Sequence, residues 1–171
     1  YVGTLAAGLL EAAGHAVDIG RRHPGAAPRA HAIDVLRPET FPAALARAEC
    51  LVYCVSADGF DEPAYRAAYV EGLANVIAAG ARGAARRIVF VSSTGVYGQD
   101  DGSVVDEDSP AVPRGFSGRT ILEGEARVAA APLEGTVIRF SGIYGPGRDR
   151  LVRMVRAGTP VSPRARAAIT N

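Results

Sequence analysis

Three adjacent hydroxyls, Ser92, Ser93 and Thr94, follow the apolar run Ile88-Val89-Phe90-Val91. Where a buried strand ends at a cleft, such hydroxyls can hold a ligand oxygen or pass a proton to it. A second cue is the pair Arg21-Arg22 directly after Ile19-Gly20, because guanidinium forks suit phosphate oxygens. The third cue is an absence. All 19 basic residues of the 171-residue chain are arginine. That excludes Schiff-base chemistry, a phosphate-loop lysine and a lysine that activates a tyrosine.

The remaining reactive types carry less. Cys50 and Cys54 flank Leu51-Val52-Tyr53. They are too few for a zinc site or a disulfide framework, and they read as residues in or beside a buried strand. His15, His23 and His31 stand at no metal-ligand spacing and read as surface residues. Asp100, Asp101, Asp106, Glu107 and Asp108 read as a solvated acidic loop, with a cation site as the alternative. No metal is expected. With 18 acids the net charge is +1, which excludes the basic surface that a nucleic acid or anionic membrane would need. No stretch approaches the ~20 apolar residues of a membrane span and no signal peptide is visible, so a cytoplasmic location is the default expectation.

Strand and helix patterns alternate along the chain. Helices are expected over Thr4–Ala13 (a Leu5, Leu9, Ala13 stripe closed by Gly14), Pro38–Ala48, Glu62–Ala79 closed by Gly80, Ser117–Ala130 and Leu151–Ala157. Strands are expected over Ala16–Ile19, Ala32–Val35, Leu51–Ser56, Arg87–Val91 and Gly135–Phe140, with another starting at Ile169-Thr170-Asn171. Arg87–Val91 is β-branched and continuous, hence expected to be buried on both faces. A turn-rich segment fills Gly98 to Gly115. This alternation implies an α/β fold, a doubly wound parallel sheet forming one domain over residues 1–171. Ligands of such sheets sit beyond the carboxyl ends of the strands. The ends of the chain look cut, and a longer protein is expected.

Four segments together resemble the extended, atypical branch of the short-chain dehydrogenase/reductase superfamily, which includes the NAD-dependent epimerase/dehydratase proteins. Tyr1-Val2-Gly3 before a helix is similar to the tail of the glycine-rich dinucleotide motif, with Gly3 as third glycine. Ser92-Ser93-Thr94-Gly95-Val96-Tyr97-Gly98 resembles the family's strand end. Arg139-Phe140-Ser141-Gly142-Ile143-Tyr144-Gly145-Pro146-Gly147 is similar to its Tyr-Gly-Pro-Gly loop, and Asp106-Glu107-Asp108-Ser109-Pro110 to the turn before its catalytic helix. Phe116-Ser117-Gly118-Arg119 and Thr170-Asn171 point to the epimerase/dehydratase-like subgroup. The resemblance implies a Rossmann-like NAD(P)-binding fold, truncated at both ends, with the first strand and two glycines upstream of Tyr1. It also implies that the substrate-recognition region lies beyond Asn171. Loss of a central first strand would leave its neighbours unpaired, so the isolated chain is expected to be unstable.

One family feature is absent. The family's tyrosine, followed four residues later by lysine, aligns with Ser117 and Ile121, and neither can form the usual proton relay. Ser93, Thr94 and Ser117 are the catalytic candidates, and a substitute tyrosine at Tyr97 or Tyr144 is the alternative. The resemblance places Gly3, Arg21, Arg22, Asp34, Val35, Val55, Ser56, Ala57, Ser92, Tyr144 and Gly145 at the cofactor. Arg21-Arg22 after the second strand favours NADP, with NAD as the alternative and a solvated basic turn as the bland reading. The expected activity is oxidoreductase or epimerase/dehydratase-like, on a sugar-nucleotide or similar small polar substrate. The competing reading is a catalytically silent NAD(P)-binding sensor or scaffold. No nucleic acid or membrane partner is expected, and a homodimer is left open.

Overall fold

The computed structural model describes residues 1–26 and 28–158. Its order is α1 (Val2–Ala12), β1 (Ile19–Arg21), β2 (Ala30–Ala32), α2 (Ala43–Arg47), β3 (Cys50–Tyr53), α3 (Glu62–Arg66), α4 (Leu73–Ala81), β4 (Arg87–Ser93), α5 (Phe116–Ala129), β5 (Glu134–Phe140) and α6 (Arg150–Arg156). Every strand pair is parallel; the β3–β4 and β4–β5 crossovers contain helices, while β1 and β2 are joined by a short turn-rich connection. The expected strand at Ile169-Thr170-Asn171 lies outside the described residues.

The strands form two sheets rather than one: β1–β2, and β3–β4–β5. Among the described residues no ladder joins β1 to β3. In the larger sheet Leu51 pairs with Ile88 and Phe90 with Val137. Its inner face, covered by α4 and α5, carries the core: Leu51, Tyr53, Leu73, Ile88, Phe90 and Val128. Exposure alternates along β4. Ile88 and Phe90 are fully buried while Val89 and Val91 are half-buried. Burial on both faces, expected from the continuous apolar run, is therefore corrected to burial on one. The outer face leaves Val52, Ile138 and Phe140 exposed.

Several boundaries shift for identifiable reasons. β1 and β2 lie two to three residues from their expected places. The Asp18 carboxylate is bound by Arg29 and His31, which fixes a register opening at Ile19 opposite Ala30. Asp34 leaves the strand for a turn, where its carboxylate accepts the Leu36 amide at 3.0 Å. The expected Pro38–Ala48 helix is broken. A single 3₁₀ turn over Pro38–Thr40 stops at Phe41, which is extended because Pro42 follows, and α2 starts at Ala43. The Leu5–Leu9 stripe of α1 faces outward at 55% and 74% exposure, and only Ala7 is buried.

The long helix starts as expected. Asp61 caps it through the Ala64 amide at 2.9 Å, and Pro63 tolerates the first turn. It does not end at Gly80. That glycine is buried against β3, where an added Cβ would come within 2.5 Å of the Leu51 side chain. A six-residue π-helical turn, Ala67–Gly72, separates α3 from α4. No spacing in the sequence announces it. The Tyr53 hydroxyl donates to the Ala68 carbonyl inside this turn at 2.6 Å.

Candidate functional site

Two cavities open where the strands end. The larger, of about 670 Å³, lies between β1 and β3 and falls within the size range of small-molecule sites. Seven of the sequence-expected cofactor residues line it: Arg21 and Arg22 from the end of β1, Asp34 and Val35 from the turn after β2, and Val55, Ser56 and Ala57 after β3. The smaller, of about 230 Å³, shares Cys54, Val55 and Ser56 with the first and adds Ser92 and Ser93 from β4. Tyr1, Ser141 and Ile121 complete other parts of its wall.

Other expected residues lie elsewhere. Thr94 opens a short 3₁₀ turn, and Ser117 stands half-buried in the first turn of α5; neither lines a cavity described here. Gly3 packs onto Cys54, where a Cβ would come within 2.6 Å of Sγ, while its neighbours Tyr1 and Val2 reach the smaller cavity. Tyr144 is 64% exposed, and Gly145 backs onto the Tyr1 hydroxyl. Tyr97 is held away by two bonds. Its hydroxyl donates to the Asp106 carbonyl at 2.7 Å and accepts from Arg139 at 2.8 Å.

A buried polar network braces the end of β4. Ser92 Oγ donates to Glu125 Oε1 at 2.5 Å, and Arg139 binds both carboxylate oxygens of Glu125 at 2.9 and 2.6 Å. The Arg139 guanidinium also lies 5.0 Å from the Tyr97 ring centre. Glu125, chiefly, holds Arg139 firmly in its charged form. The network ties β4, β5, α5 and the acidic loop together, and among the described residues no buried side-chain polar atom is left without a partner. Ser92 thus spends its proton on Glu125. Ser93 caps the next turn by accepting the Gly95 amide at 3.1 Å, which leaves its own proton free to donate to a ligand.

Charge at the larger cavity is also paired. Arg22 grips Asp58 through both guanidinium nitrogens, one at 2.7 Å. Both partners are mostly exposed, so the pair contributes little to stability and a phosphate can compete for the guanidinium. Asp18, lowered below the usual carboxylate range first by Arg29 and then by His31, is already committed to those partners. Burial pushes the Cys54 thiol up, so it is a packing group and not a thiolate nucleophile. Among the described residues no cluster of metal-binding side chains is present. Nor is any helix long and apolar enough to cross a membrane.

A dinucleotide matches this donor set. In the larger cavity Arg21 and Arg22 can meet a ribose phosphate with Asp34 beside them, and the start of α1 borders the adjoining smaller cavity through Tyr1 and Val2. Such a group would supply or accept a hydride. The sequence missed Tyr69, which lines the smaller cavity from the π-helical turn. In sequence it is one more apolar repeat on a long helix.

Known proteins converge on the same architecture. The RmlD substrate binding domain matches residues 26–161. A 3-diazoavenalumate denitrifying reductase from a Streptomyces species is 32% identical over 82% of this chain and 52% of its own. A dTDP-4,6-dihydroxy-2-methyloxan-3-one 4-ketoreductase from Streptomyces antibioticus is 32% identical over 71% of this chain and 43% of its own. The solved structure of a protein from Methylobacillus flagellatus, described as an NAD-dependent epimerase/dehydratase, superposes with a TM-score of 0.74 at 40% identity. It covers 91% of this chain and 56% of that one, so the chain spans about half the length of the relatives it matches. The matches over most of its length make this chain a member of the RmlD substrate-binding-domain family, within the short-chain dehydrogenase/reductases and their NAD-dependent epimerases and dehydratases.

Proposed function

We propose that this chain forms the NAD(P)-binding part of an oxidoreductase that acts on a sugar-nucleotide or similar small polar substrate, without the usual tyrosine–lysine relay. One observation carries the reading. The cavity lined by Arg21, Arg22, Asp34 and Ser56 runs, through Val55, into the cavity that presents the Ser93 hydroxyl. Dinucleotide and substrate would therefore meet between β3 and β4. Arg21 and Arg22 favour NADP over NAD, and Gly3, Tyr144 and Gly145 serve the cofactor from the neighbouring segments. Ser93, and not Thr94 or Ser117, is the hydroxyl this reading places at the substrate.

Calorimetric titration with NADPH and NADH tests this. A charge-assisted bond to the ribose phosphate is worth about tenfold in affinity, so NADPH should bind about tenfold tighter and Arg22→Ala should erase the preference. Failure to bind either nucleotide sinks the reading. A silent sensor is the second reading, favoured by the apolar Ile121 in the cavity wall. Cofactor binding without turnover of any carbonyl substrate would select it.

A further inference from the structure

We propose that the Tyr69 phenol is the proton donor of this site, delivering its proton to a substrate carbonyl oxygen held in the smaller cavity beside Ser93. This rests on the oxidoreductase reading above and deepens it. Tyr69 and Ser93 line the same cavity, together with Ile121. Ile121 stands where the family's lysine would, and Ser117, at the tyrosine position, does not line this cavity.

The placement is built. Tyr69 sits in the π-helical Ala67–Gly72 turn, the kind of widened turn that recurs at functional sites. Its ring is held between Tyr65 at 5.3 Å and Phe90 at 6.4 Å, measured between ring centres. Its carbonyl is pressed by α5 at Gly124, where an added Cβ would lie 2.6 Å from the Tyr69 oxygen. The backbone there cannot shift without moving α5. Tyr1 is the other phenol of this wall, but it is 42% exposed and lies beneath the Arg148 guanidinium, 5.6 Å away.

The chemistry points in one direction. Burial raises the Tyr69 phenol, with a further push from Tyr65 and a smaller opposing effect of the Ala57 amide. A phenol so placed is protonated at neutral pH and has a proton to give, although burial makes that proton harder to release than one activated by a neighbouring lysine. Both curated relatives described above are named as reductases, and carbonyl reduction needs an acid. A bound reduced nicotinamide would supply the hydride that forms the C–H bond as the carbonyl π electrons move to oxygen. The Tyr69 proton forms the O–H bond, and the phenolate left behind is reprotonated by solvent. Ser93 fixes the oxygen by donating its free proton to it.

The test compares the protein with its Tyr69→Phe variant, using NADPH and a dTDP-linked 4-keto sugar as probes. Calorimetry should give the same NADPH affinity for both, which also reports folding. The variant should bind the keto sugar about fivefold more weakly, having lost one hydrogen bond. Single-turnover NADPH oxidation should fall about a hundredfold or more. Equal keto-sugar affinity and equal rates in both proteins overturn the assignment of Tyr69 alone. So does a wild-type protein that binds NADPH but does not bind the keto sugar. A wild-type protein that binds neither NADPH nor NADH overturns the oxidoreductase reading itself.

Discussion

The β3–β4–β5 sheet and the β1–β2 sheet use the same parallel pairing, yet only the first is anchored. Phe90, Ile88 and Leu73 fill the space between the larger sheet and its helices, and no residue of β1 or β2 belongs to the buried core. The larger sheet is also locked by the Ser92–Glu125–Arg139 network. The smaller holds together by three paired positions and the exposed cluster of Asp18, Arg29 and His31. Exposed ion pairs are screened by water, so the second set stabilises little. The contrast maps onto chemistry. Ser93 stands on the rigid sheet and Tyr69 on a helical turn packed against it, while the arginines that would choose the cofactor stand at the end of the loose one.

The largest expected effect comes from the core. Phe90→Ala should cost about 3–5 kcal/mol of unfolding free energy, read from denaturant midpoints. Hydrogen exchange should then show β4 protected and β1 and β2 opening at low cost; equal protection of the two sheets would dissolve the comparison. Next, Glu125→Gln leaves the Arg139 guanidinium with a neutral partner in a largely buried site. The loss should approach 3 kcal/mol, the cost of breaking a buried pair. A loss under about 0.5 kcal/mol, the size of an ordinary surface change, would show that the network does not brace the sheet.

The smallest effect is a pH dependence confined to the rigid half. Burial raises the Tyr53 and Tyr69 phenols above their ordinary value of about 10. The unfolded chain therefore loses these protons first. Their contribution to stability is complete below about pH 10 and is lost as pH rises through the folded-state values. Tyr53→Phe should flatten that alkaline decline in urea midpoints. An unchanged slope would mean that Tyr53 does not titrate differently in the two states.

How much of this was legible differs from element to element. β4, β5 and α5 were readable to within a residue or two, because their side chains repeat at the periods that their own packing imposes. Arg21, Arg22, Asp34, Val35, Val55, Ser56 and Ala57, expected at a cofactor from motif position, all line one cavity. β1 and β2 slipped because short strands take their register from partners such as Asp18 with Arg29, 11 residues apart. Thr94, Ser117 and Tyr144 kept their motif positions without reaching the cavities, since which way a side chain points is a property of the turn that carries it.

The sequence by itself determined the parallel α/β class and the absence of any lysine. These follow from residue identity and local period, which need no neighbours to be read. Only the tertiary structure decided that Glu125 is tied to Ser92, that Tyr97 is turned away toward Asp106, and that Tyr69 and Ser93 line one cavity. Those contacts join segments up to 33 residues apart for the Glu125 bond alone, and Tyr69 reaches the cavity from a π-helical turn while its ring packs on Phe90. Proximity of that kind is fixed by how helices pack onto a sheet, which no single segment encodes.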